Sequence, residues 1–166
     1  MRRPVTIVTT LVLVAGLLAV ALSITAAAPA APRWPAASLA WWQDAQPHLD
    51  AVETAVTDAW AAYPAEPDTV EEAAATIAAT VDAVAELDAP PPALLPVQVR
   101  LAAAAAECDH TISYAAELAG SDQATSAFAI AILTGMRNQC SGAITEARVE
   151  LARYAATVGG YPENPK

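Results

Sequence analysis

The chain has two cysteines, Cys108 and Cys140, and each falls on the apolar stripe of its own long helical stretch. Leu101, Ala104, Cys108, Ala115 and Leu118 recur in steps of three, four and seven, the spacing at which one face of an α-helix is buried. Ile130, Leu133, Cys140, Ile144, Ala147, Leu151, Tyr154 and Val158 keep the same rhythm in the next stretch. Both thiols therefore face inward, and in an oxidising compartment they are expected to form one interhelical disulfide. The closed loop would hold about 33 residues, worth roughly 3–4 kcal/mol on the chain-entropy account. That is comparable with much of a small domain's stability.

The pair also dictates the connection between its helices. If the turn were only Gly120 and Ser121, Cys108 would lie about 12 residues from it and Cys140 about 19, a height mismatch of roughly 10 Å at 1.5 Å per residue. A disulfide spans Cα separations of at most about 7 Å. The spacing therefore predicts an irregular link from Ala119 to Thr125, with Ser121, Asp122, Thr125 and Ser126 as possible caps of the following helix.

The first 30 residues have the layout of a secretory signal. Arg2 and Arg3 precede an uncharged run from Val5 to Ile24, and Ala28-Pro29-Ala30 offers a small-x-small site for cleavage before Ala31. The rival reading is a retained anchor over residues 5–24, about long enough to cross a bilayer. Either reading puts the domain beyond the cytoplasmic membrane, secreted or held at its outer surface, with membrane contact only through this segment if it is uncleaved. A Pro-rich linker follows at 31–37, then a bundle domain at 38–158, then a flexible tail at 159–166.

Within the domain, Trp42, Leu49, Val56 and Tyr63 recur every seven residues, with Ala45, Val52 and Ala59 between them. They predict a first helix capped by Ser38, with Pro47 producing a kink near 43–46 or a short first segment. A second helix carries Val70, Ala74, Ile77, Val81 and Val84, with Asp68 and Glu71 at capping-box spacing, and stops before Pro90-Pro91-Pro92. The third starts near Leu95 with Pro96 in its first turn and ends at Gly120. Four amphipathic helices on short connections predict an all-α, four-helix up-down-up-down bundle after the N-terminal signal or anchor helix. Alanine supplies 44 of the 166 residues and only 5% are aromatic, so the helices must approach closely to bury enough surface.

The formal net charge of -10 argues against nucleic acid and anionic membrane surfaces as partners. Two histidines without a nucleophile motif, no Gly-rich phosphate loop and no Cys-x-x-Cys pair give no enzymatic arrangement. Four features remain. Glu107 with His110, and Asp44 with His48, are weak metal-ligand pairs, each a carboxylate one turn from a histidine; an ordinary solvated helix face explains them as well. Glu107, His110, Tyr114 and Glu117 form a polar stripe that a partner protein can read, with His110 and Tyr114 as conceivable haem ligands. Arg137 falls on the apolar stripe between Leu133 and Cys140, so it either pairs with a neighbouring carboxylate or reaches out to solvent.

The fourth feature is the apolar start of the last helix. Phe128, Ile130, Ile132, Leu133 and Met136 occupy more than one side of it, which implies a central helix or an exposed patch for a partner or a second copy. Trp34 and Trp41 lie off the first helix's stripe and could rest on lipid head groups if the N-terminus is retained. The pattern as a whole reads as an exported, non-enzymatic protein of a bacterial cell envelope or the extracellular space, a protein-binding or structural module that needs no cofactor. The alternative is a carrier of a metal, haem or apolar molecule. An internal cavity with Arg137 at its mouth would favour the carrier, and a tight interior with an open apolar face on the last helix the module.

Overall fold

The computed structural model describes residues 34–162; the segment read as signal or anchor, residues 31–33 of the Pro-rich linker and residues 163–166 lie outside it. Four α-helices make up the described chain: α1 (Ala36–Ala62), α2 (Pro67–Ala85), α3 (Leu95–Ala119) and α4 (Ala127–Thr157). A 3-10 turn at Pro92–Leu94 leads into α3, and no strand occurs among the described residues. None of the described helices is long and apolar enough to cross a membrane.

Consecutive helices pack against one another, and α1 also touches α3. Two apolar clusters fill the interior. One joins the end of α1 and the start of α2 to the end of α3 and the first half of α4, through residues such as Val56, Ala59, Ile77, Ile112 and Leu133. The other joins the start of α1 and the end of α2 to the start of α3 and the end of α4, through Trp41, Leu49, Val84, Leu101 and Leu151. That pairing of ends means that each helix runs opposite to the one before it. Alanines 45, 59, 104, 105 and 115 are fully buried, as a bundle of closely spaced, thin-sided helices requires.

The disulfide between Cys108 and Cys140 is formed, with a Cα separation of 4.7 Å and both side chains fully buried. The seven-residue link makes this possible. α3 ends at Ala119 with Gly120 as its C-cap, and α4 starts at Ala127. Cys108 is thus about 11 residues before the link and Cys140 about 13 after it, a height difference of only roughly 3 Å. Of the candidate caps, Ser126 is the one used: its hydroxyl accepts from the Ala129 amide at 3.1 Å. One turn along α3, the buried Thr111 hydroxyl donates to the Glu107 carbonyl at 2.8 Å and lies 3.3 Å from the Met136 carbonyl of α4.

Several local expectations are corrected. Pro47 does not split α1, which runs unbroken through it with the proline exposed and the buried stripe in phase on either side. Helix α1 begins at Ala36, after Pro35, and Ser38 is a buried side chain inside it and not a cap. The Asp68 and Glu71 box does not form either. Pro67 takes the first helical position, moving the start back by one residue, so that Asp68 sits in the first turn where its charge favours the helix dipole.

Trp34 and Trp41 are buried, not displayed toward lipid. The Trp41 indole donates to the Asp88 carbonyl at 2.9 Å, tying α1 to the α2–α3 link. The Trp34 indole donates to the Gly160 carbonyl at 2.8 Å and meets the Tyr154 ring edge-on, with 4.9 Å between centroids. Residues 159–160 are therefore part of the fold and not of a loose tail.

Two consequences can be measured. Replacing both cysteines by alanine should cost about 3–4 kcal/mol in urea unfolding; an unchanged midpoint would mean that the cross-link contributes nothing. Gly135 and Gly142 lie inside α4 with nothing within 4 Å of an added Cβ. Each Gly→Ala change there should raise stability by about 1 kcal/mol, read from the same urea midpoints.

Candidate binding cleft between the first and fourth helices

Aromatic side chains at the end of α1 meet the start of α4 across the α3–α4 link. Trp60, Tyr63 and Pro64 form one wall of a cleft, Ala124 and Thr125 of the link form its floor, and Ile130, Leu133, Thr134 and Arg137 form the α4 wall. Its volume is about 220 Å³ and it opens to solvent. The link is held where the cleft needs it: the Tyr63 hydroxyl donates to the Ala124 carbonyl at 2.8 Å, and Ala124 is itself buried. Burial pushes the Tyr63 phenol above its ordinary pKa, and the nearby Tyr114 phenol adds to the effect.

Arg137 is the polar centre of this cleft. Its stripe position suggested burial beside a carboxylate or escape to solvent; it is exposed, and its guanidinium carbon lies 5.3 Å from the centroid of the Trp60 ring. Such stacking holds the cation by the ring's electron-rich face. No ion pair joins Arg137 to an acidic residue among those described, whereas Arg100 pairs with Glu146 at 2.6 Å, Arg148 with Asp50 and Glu53, and Arg153 with Glu150. Arg148 links α4 to α1; its pKa is raised chiefly by the hydrogen bond to Glu53, with burial opposing and the charges of Glu53 and Asp50 assisting. The Trp60 Nε1 atom is buried and has no hydrogen-bond partner.

The other candidate residues divide by position. Phe128 and Ile130 are exposed at the start of α4, 74% and 51% respectively, while Ile132 and Met136 are half-buried. The last helix is therefore covered on one side only over its first turns. Tyr114 is half-buried near Tyr63. Glu107 and His48 are half-buried, His110 and Asp44 are exposed, and no cluster of three or more His, Cys, Asp or Glu side chains suited to a metal occurs among the described residues. The sequence drew attention to Arg137 but not to its partners here. Tyr63 reads as the last stripe residue of the first helix, Trp60 lies off that stripe, and the link's role is visible only as a length.

Tyr63→Phe should lower stability by about 1 kcal/mol, the usual worth of one net hydrogen bond. A raised phenol pKa means that the fold favours the protonated form, so this contribution is complete below pH ~10 and fades as pH rises through the raised value. Subtracting the Tyr63→Phe phenolate titration from that of the wild type should therefore leave one late-titrating group. Comparison with protein families, with curated proteins and with solved structures finds no match, so what this cleft does has to be argued from its own chemistry.

Proposed function

We propose that this protein is an exported, non-enzymatic helical-bundle module of a bacterial cell envelope or the extracellular space, and that it binds another protein through the apolar start of α4. The observation that carries the reading is Phe128, the chain's single phenylalanine, standing 74% exposed beside Ile130. From Gln123 to Met136 there is no charged residue, although 16% of the chain is charged. Apolar exposure with local loss of charge is the composition of the centre of a protein interface. Leu95 and Val99 are exposed too, but next to Arg100 and its Glu146 partner.

Export is supported by the signal-like first 30 residues together with the disulfide, a bond that persists where thiols are not kept reduced. A non-enzymatic role rests on the residue inventory, which has two histidines and no nucleophile motif beside either. The docking reading is preferred to a carrier with an enclosed interior site because the cleft at Arg137 opens to solvent and shares Ile130 with the exposed α4 face.

A photo-crosslinking benzoylphenylalanine at position 128, introduced in the producing cell, should yield a defined adduct, while the same group at exposed Glu71 on α2 should not. An adduct of twice the protein's own mass would identify the partner as a second copy. Loss of any adduct at 128, or identical adducts from both positions, would remove the docking face. Mass spectrometry of material outside the cytoplasm should find a chain starting at Ala31 or, for the anchored form, an intact N-terminus in the membrane fraction. Protein found solely in the cytoplasm would end the export reading.

A further inference from the structure

Beyond protein docking, we infer that the cleft between α1 and α4 binds a free small organic carboxylate with an apolar body, with Arg137 gripping the acid. The inference does not depend on the α4 face having a protein partner. It rests on one cation without an ion pair among the described residues, beside one apolar cleft. Arg137 stays without an ion pair among the described residues in a chain with 18 carboxylates against 8 lysines and arginines, while the other three described arginines are all paired. The guanidinium lies over the Trp60 ring and has no carboxylate partner among the described residues, so its N–H fork is available to take a carboxylate through two parallel hydrogen bonds. The Trp60 Nε1 has no partner and is closed to solvent, so its N–H reports on the cleft through the ring and does not itself meet the ligand.

A ligand that answers this guanidinium must bring acceptors and negative charge. A cation or a pure donor would not. Inorganic anions would satisfy Arg137 but leave Pro64 and Ile130 uncovered, so an apolar body is required as well. Size narrows the class. At about 220 Å³ the cleft is smaller than the ~300–1,000 Å³ typical of drug-sized ligand sites. A cavity of about 150 Å³ is known to take up benzene. One ring or a short branched chain carrying a single carboxylate therefore fits the available space.

The test uses the disulfide-bonded protein labelled with nitrogen-15 and titrated with 3-phenylpropionate, following the Trp60 indole N–H signal, identified by its loss in Trp60→Phe. The signal should shift saturably, while that of Trp41, bonded to the Asp88 carbonyl, stays fixed. Arg137→Gln should weaken binding by about ten-fold or more, and the neutral isostere 3-phenylpropanol should bind the wild type more weakly by a similar factor. Arg137 is exposed, and unchanged signals from the other indoles would show that the variant is folded. An unmoved Trp60 signal, equal binding of acid and alcohol, or unchanged affinity in Arg137→Gln would each overturn the assignment.

Discussion

The close approach of α3 and α4 is the constraint from which the rest follows. Cα atoms 4.7 Å apart can be reached only where the facing side chains are small, and around Cys108 those are Ala104, Ala105, Thr111 and Ala115. Alanine gives strong helix propensity but little buried surface, so such a core gains less from the hydrophobic effect than one built on leucine and phenylalanine. The covalent bond compensates through the unfolded chain, whose freedom it restricts. Thr111 shows the same economy: it fills a fully buried position one turn from Cys108 and keeps its hydroxyl within reach of two carbonyls.

The sequence was most legible where side-chain period and burial agree. The cysteine stripe, the irregular link and the four helices all followed from spacing, because a helix with one buried face repeats its apolar positions whatever covers them. Trp34 and Trp41 were not legible in that way. Their burial comes from the α2–α3 link and the segment after α4, which no periodicity within α1 can show. Arg137 is the converse case. Its phase matched the buried stripe, but α4 is uncovered at that height, and the side chain turns onto Trp60, a residue 77 positions away in the chain.

The candidate site was only half visible for a related reason. Exposed Phe128 and Ile130, and the cation at 137, lie on one helix and stand out as a local departure from ordinary patterning. The wall opposite them is made by the end of α1, and its floor by a link whose position depends on one tyrosine hydroxyl. Contacts of that kind become apparent only when the chain has been folded back on itself. The acidic composition then sets Arg137 apart: it has no ion pair among the described residues of a chain rich in carboxylates.

The lashing of Trp34 to Gly160 has a practical corollary. It brings the beginning of α1 and the end of α4 together at one pole of the molecule, whereas Trp60, the α3–α4 link and Phe128 lie at the other pole, about 40 Å away along the 27 residues of α1. A fusion partner, affinity handle or solid support joined at residue 34 or 162 would thus point away from the proposed docking surface. Immobilised at either end, the bundle would present that surface outward.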